Sequence, residues 1–207
     1  MICGCNRLDK SVELMTEVIH INGRQDMHKI FIGLLLVFLD FNLDLGTSRI
    51  GLIPDFLGYI SILQGLKEME NKSVNFLKVI PVTKLALILS IVIYILDLAG
   101  LSLNPDNRIL PVAFGIVMTI ISLYISYYIV QGVFDLQEKT GYDLNGNKLH
   151  TAWKLVAVFS VLVYPMFFIL GLNIISIVLA FVFHIYFLHY FNITENTYKE
   201  YSVNKIQ

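Results

Sequence analysis

The sequence predicts an all-α, polytopic membrane bundle of six transmembrane helices arranged as three hairpins, and three observations predict it. The 207 residues are 56% hydrophobic and only 15% charged, with a mean hydropathy of +0.69, whereas soluble domains carry about 25% charged residues. Apolar stretches recur six times, most of them near the ~20 residues that a crossing helix needs. Lysine and arginine alternate between connections, thirteen on one side and two on the other.

Residues 1–28 form a polar to amphipathic N-terminal segment in which Leu8, Val12, Met15 and Ile19 share one helical face. Asn22-Gly23 then predicts a turn. Met15 and Met27 are both internal methionines at which translation can begin. The segment lacks the apolar run of a cleavable signal peptide, so the first span acts as a start-transfer segment. Cys3 and Cys5, the two cysteines, are too close for an easy disulfide and have no further soft ligand nearby.

The six segments are Ile30–Leu45, Ile50–Leu66, Leu85–Leu103, Ile109–Phe134, Thr151–Leu170 and Leu172–Phe191, followed by a polar tail over residues 192–207. The first two are short, and the fourth is long enough to tilt or protrude. Two spans or one re-entrant hairpin both fit residues 30–66, since either returns the chain to the same side. Arg7, Lys10, Arg24 and Lys29 precede the first span; Lys67, Lys72, Lys78 and Lys84 occupy the second connection; Lys139, Lys148 and Lys154 lie in or beside the fourth; Lys199 and Lys205 are in the tail. Arg49 and Arg108 stand alone on the opposite side. The positive-inside rule then predicts a multi-pass protein of the plasma membrane with both termini cytoplasmic, and places Trp153, Tyr186 and Tyr190 near the inner interface.

Within this topology the stretch FLDFNLDLGTSRIGLIPDFLGY, residues 38–59, sets polar groups against a greasy run. Asp40 and Asp44, four apart, are expected on one helix face. Asp55 follows Pro54 at the start of the second span, where the helix dipole is positive. Asp97 lies six residues before the outer end of the third. Four carboxylates from three helices thus converge on the outer half, with Asn42 and Arg49 beside them. Ionisable groups at that depth cost roughly 2.5–3.5 kcal/mol each on insertion scales, so they face a bundle interior or a wet cavity. Either they form a cation or proton site, or they lock the first helices together.

A second stripe, Tyr124, Tyr128, Gln131 and Asp135 with Ser122 and Ser126 beside it, runs along the inner half of the fourth span. It lines an inner vestibule or makes interhelical hydrogen bonds. Ser61 and Gly65 form a small-xxx-small pair suited to close helix packing. His184 is expected as a hydrogen-bonded interior histidine, and His189, five residues on, does not share its face well enough for a metal pair. Asp40, Asn42 and Asp44 have the spacing of a calcium loop, but the glycine falls one place late and Gly51 stands where the final glutamate belongs. DLNGN at Asp143–Asn147 reads as a turn. Asp-Leu, Gly, Arg and Pro recur in order at 44–54 and 97–111, an echo that ordinary capping also produces.

The stretch DFNLDLGTSRIGLIPDFLGYI with the following GLKEME resembles a group of small multi-pass membrane proteins of Gram-positive, Firmicutes-type bacteria. The likeness covers residues 27–70, and extends more weakly through YILDLAG and SLYISYYIVQG. It implies a bacterial inner-membrane protein, fits a start near Met27, and carries over no catalytic or binding residue.

No Walker loop, dinucleotide fingerprint, zinc-protease helix or zinc-finger spacing is present, and a net charge of −1 gives no footprint for nucleic acid. The expected partners are the lipid bilayer and a second copy or another membrane subunit. No cofactor, metal or catalytic residue is expected, and no nucleophile–base set points to an enzyme. Two functions fit: a small cation- or proton-linked carrier or channel-like protein, and a non-transporting assembly or regulatory subunit whose acids and Arg49 are structural.

Overall fold

The computed structural model describes residues 26–38, 42–44, 49–51, 54–98, 109–166 and 172–204. The N-terminal amphipathic segment with Cys3 and Cys5, and Arg108, lie outside the described residues. Among the described residues there are six helices: α1 (26–38), α2 (Asp55–Met69), α3 (Val74–Leu98), α4 (Ile109–Thr140), α5 (Gly146–Met166) and α6 (Leu172–Asn204). Between α1 and α2 stands a small antiparallel ribbon of β1 (Asn42–Asp44) and β2 (Arg49–Gly51).

Local chemistry sets the helix ends. Ser73 caps α3, its hydroxyl accepting from the Asn75 amide at 3.0 Å, as expected of a serine at an N-cap. α4 stops at Gly141, whose φ of +66° suits the left-handed closing position. The expected turn at DLNGN follows, with Asp143 Oδ1 accepting from the Asn145 amide at 2.9 Å and Asn145 at φ 60°. That is an Asx turn.

Among the described residues four helices are long and apolar enough to cross a membrane: Val74–Leu96, Ala113–Thr140, Gly146–Met166 and Ile174–Asn204. Each turns large apolar residues outward, among them Ile88 and Ile95 on α3, Val117 and Ile120 on α4, Val158 and Val161 on α5, and Ile174 and Val178 on α6. Soluble surfaces rarely expose contiguous apolar area on this scale; hydrocarbon accepts it. These four helices fit membrane spans.

Three expected boundaries are corrected. Residues 42–44 and 50–51, read as parts of the first two spans, are extended, so Asp44 stands on a strand and not on a helix face. Asn42 and Asp44 are residue types that favour local side-chain to backbone bonds over the helical ladder. α3 begins at Val74 rather than Leu85, which puts Lys78 and Lys84 on the helix instead of in a connection. Pro81 sits inside it. α6 runs through the polar residues after Asn192 to Asn204 as one helix.

Neighbouring helices close on one another in chain order. α1 meets α2 backbone to backbone at Gly33, Gly58 and Gly65, and Ser61 Oγ donates to the Lys29 carbonyl at 2.7 Å. This is the close crossing expected from Ser61 and Gly65. The Phe76 ring of α3 seats on Gly132 of α4. Trp153 of α5 bonds Ser126 of α4, and Phe159 stacks on Phe183 of α6 at 4.3 Å. α6 returns to α1 through Phe31–Phe191 and Phe38–His184, ring centroids 6.3 and 4.6 Å apart. The core between them includes Leu34, Tyr59, Ile62, Ile129 and Phe187.

Candidate functional site: the ribbon between α1 and α2 and the polar ladder of α4

The ribbon starts and finishes part-way along the bundle. Phe38, the last described residue of α1, lies against His184, and α6 extends twelve residues further to Leu172. At 1.5 Å per residue that is about 18 Å. On α2, Tyr59 OH bonds Ser122 Oγ at 2.9 Å; α4 continues thirteen residues beyond Ser122, about 20 Å, whereas α2 ends four residues, about 6 Å, beyond Tyr59. β2 lies against α3. α1 and α2 thus give way to extended chain at a level along the bundle where α4 and α6 still run on.

Three of the four predicted acids lie among the described residues. β1 carries Asn42 and Asp44, and β2 carries Arg49. The register pairs Asn42 with Gly51, Leu43 with Ile50 and Asp44 with Arg49, so the backbone brings one acid opposite the arginine. Asp55 opens α2 in its first turn, half-buried, with Oδ1 shielded from solvent. Asp97 is the penultimate residue of α3. Asp40 lies outside the described residues.

The inner stripe is divided by its surroundings. Tyr124 faces outward, its ring 4.7 Å from that of Tyr128. Gln131 is half-buried. Asp135 Oδ2 accepts from Ser73 Oγ and from Asn75 Nδ2, the latter at 2.9 Å, and so ties α4 to the start of α3. Along α4 three other hydroxyls do similar work: Thr119 with Tyr164 of α5 at 2.6 Å, Ser122 with Tyr59 of α2, and Ser126 accepting from the Trp153 indole N–H at 3.1 Å. α4 is the hub of an interhelical ladder reaching α2, α3 and α5. Tyr59, Thr119 and Tyr164 escaped sequence reasoning, because a hydroxyl in an apolar run carries no label for its partner. His184 donates Nδ1–H to the Ala180 carbonyl at 2.7 Å, edge-on to Phe38, as expected of an interior histidine.

The lysine-bearing connections meet at one end. Lys29 pairs with Glu68, Lys139 donates to the Lys72 carbonyl at 2.8 Å, and Lys72 pairs with Asp26 at 3.0 Å while lying over the Tyr198 ring. Glu195, 1% exposed, takes His28 Nδ1 at 2.9 Å and Lys199 on one oxygen. Burial pushes the Asp26 carboxyl above its ordinary range, helped by Glu68 and opposed by Lys72. Burial pulls the Lys72 ammonium down, but Tyr198 and Asp26 together outweigh it and the net direction is up. A surface hollow of about 410 Å³ opens at this end, lined by Phe134, Gln137, Glu138, Gly141, Tyr142 and Asp143. Among the described residues no group of three metal-ligating side chains comes together.

Fold and ladder define a class: a helical bundle with four helices fit to span a membrane and a β-ribbon between α1 and α2. No protein-family model, curated protein or solved structure matches the chain.

Proposed function

We propose that this is a small carrier or channel-like protein of a bacterial plasma membrane that takes a cation or a proton into a water-filled recess in its outer half. The observation that carries this reading is the depth of the ribbon. A two-stranded ribbon leaves backbone N–H and C=O groups on both outer edges unpaired, and hydrocarbon does not accept such groups. At membrane depth irregular backbone survives where it is buried in protein or lines water. This ribbon bears Asn42, Asp44 and Arg49, with Asp55 and Asp97 on the helices that adjoin it, so water is the better solvent for it.

In this reading α1 and α2, about 20 and 22 Å long, are completed by extended chain as two further crossings, giving six. Both termini are cytoplasmic, because the lysine-bearing end is the inner one. Asp40 and Asp97 take the coupling ion, Asp44, Asp55 and Asn42 line the entrance, and Arg49 balances their charge. The test is flux in reconstituted vesicles. Asp40→Asn and Asp97→Asn should keep the wild-type melting profile and lose proton- or cation-linked uptake, whereas unchanged flux in both variants overturns the reading.

A second reading, a non-transporting assembly or regulatory subunit, is favoured by the α4 ladder, in which interior hydroxyls are spent on joining helices. It requires the outer acids to be structural as well. Arg49→Ala then unfolds the protein, while the neutral aspartate variants behave as wild type in flux.

A further inference from the structure

Where α1 ends, α6 presents a histidine with one ring nitrogen committed. His184 Nδ1 lies 2.7 Å from the Ala180 carbonyl oxygen, which can only accept. Nδ1 therefore carries the hydrogen, and the lone pair of the neutral ring is on Nε2. Among the described residues Nε2 has no hydrogen-bond partner. The ring is edge-on to Phe38 of α1 at 4.6 Å. Asn42 of β1 follows Phe38 by four residues, at most about 14 Å of chain. Resting on the carrier reading above, we infer that His184 Nε2 is the proton acceptor of the outer recess, so that the ion this protein couples to is a proton rather than a metal cation.

An ionisable side chain inside a membrane-crossing segment is costly to insert, so it faces a bundle interior or a wet cavity. His184 stands on the inward stripe of α6, in line with Ala180 and Ser176 one and two turns toward Leu172, both small and buried. Ile177, Phe181 and Ile185 take the exposed side. Residues 30–38 of α1 carry no charged side chain. On α5 the Tyr164 hydroxyl is engaged with Thr119 at 2.6 Å, and on α6 Tyr186 and His189 lie toward the lysine-bearing end. The charges on the ribbon side are Asp44 and Arg49 of the strands, Asp55 of α2 and Asp97 of α3, and the carboxylates among them balance an imidazolium. A proton delivered as hydronium adds to the Nε2 lone pair and leaves water behind. Nδ1–H stays on the Ala180 carbonyl throughout, so the ring need not turn, and return of the proton to water restores the neutral form. A transition-metal ion would need further ligands, and among the described residues no group of three ligating side chains comes together.

The experiment uses the full chain, labelled with nitrogen-15 histidine, in bilayers of phosphatidylglycerol and phosphatidylethanolamine. Solid-state NMR reads the ring nitrogens from roughly pH 8 to pH 4, a range that brackets the ordinary histidine value. One imidazole should keep Nδ1 protonated at every pH while its Nε2 gains a proton reversibly as the pH falls, and its signals should vanish in His184→Gln. If that variant does not fold, a chain with His20, His28, His150 and His189 each changed to Gln leaves His184 as the one histidine to be read. An Nε2 that stays unprotonated throughout overturns the site. Access is tested by His184→Cys in a Cys3→Ser/Cys5→Ser background, which should react with a membrane-impermeant cationic thiol reagent added outside; no reaction also overturns it. Flux separates this site from the carrier reading. Proton-linked uptake that is lost in His184→Gln supports both, and uptake that persists there beside a silent Nε2 sinks the histidine alone. A titrating, outwardly accessible residue 184 in a protein that moves no ion sinks the carrier and leaves the proton site standing.

Discussion

Gly65 of α2 lies directly against the carbonyl oxygen of Asp26, so that a Cβ at residue 65 would stand 2.6 Å from that oxygen and 2.6 Å from Ile30 Cγ1. Gly58 repeats the relationship one crossing further along, 2.9 Å from the Gly33 carbonyl. Both obstacles include backbone, which cannot swing aside. Gly65→Ala and Gly58→Ala should therefore force α1 and α2 apart and cost about 1–3 kcal/mol each. Gly115, whose added Cβ would meet only the Tyr164 hydroxyl at 3.4 Å, is the control and should tolerate alanine. Thermal unfolding in detergent measures all three.

Gly132 differs because its obstacle is a side chain. A Cβ there would overlap the Phe76 ring. Gly132→Ala alone should destabilise by the cost of overpacking, about 1–3 kcal/mol. Phe76→Leu in the same chain should recover part of it, although Phe76→Leu alone is itself destabilising. That non-additivity, read from the double-mutant cycle, reports a direct contact between α3 and α4.

Asp26 and Lys72 make an asymmetric pair. The carboxylate is 4% exposed, and its raised pKa means that the fold favours the neutral acid. Ionised Asp26 therefore weakens stability near neutrality, and the weakening fades as pH falls through the acid range. Lys72 is also raised, so its contribution is present below the ordinary ammonium range and is lost as pH climbs past it. Asp26→Asn should melt at or slightly above the wild-type temperature at pH 7. Lys72→Met leaves a buried carboxylate without its cation and should cost about 1–3 kcal/mol. Melting curves from pH 4 to pH 11 should show the alkaline loss in wild type and its disappearance in Lys72→Met.

Asp135 holds the start of α3 through two donors on one oxygen, Ser73 Oγ and Asn75 Nδ2. Asp135→Ala strands both and should lower stability by about 1–3 kcal/mol. Asp135→Asn keeps a carbonyl acceptor and should lose less. Protection of the α3 amides in hydrogen exchange distinguishes the two, with the alanine variant opening that helix end first.

Much of the architecture was legible because membrane insertion writes it in one dimension. Long apolar runs marked α3 to α6, and the alternation of lysines named the connections that Lys29, Lys72, Lys139 and Lys199 now bring to one end. Ser61 and Gly65 announced the α1–α2 crossing, since small residues four apart permit backbone approach whatever the neighbour. Other features were hidden for physical reasons. Residues 30–39 are apolar on all sides, so no periodicity marked where helix would yield to strand at Asn42. Lys78, Pro81 and Lys84 looked like a loop because a lysine on a helix can reach the membrane surface by its own length. Of the candidate acids, spacing suggested a shared neighbourhood, and the Asp44–Arg49 register adds one pairing that the sequence alone did not contain. The α4 ladder stayed invisible, because its partners are chosen by helix rotation.

Trp153 gives that ladder an optical readout, being the one tryptophan in the chain. Its indole N–H donates to Ser126 Oγ, and the same hydroxyl donates back to the Ser122 carbonyl at 2.8 Å. Its ring sits 4.9 Å from that of Tyr127. Ser126→Ala removes the acceptor and leaves the indole donor without it in a half-buried setting. The variant should lose about 0.5–1.5 kcal/mol, and its emission should move to shorter wavelength as the polarised indole loses its bond. Ser122→Ala keeps the indole bond but breaks the one to Tyr59, so it should lower stability with the tryptophan spectrum unmoved. If the two variants shift the emission alike, the indole is reporting general loosening of α4 rather than the bond to Ser126.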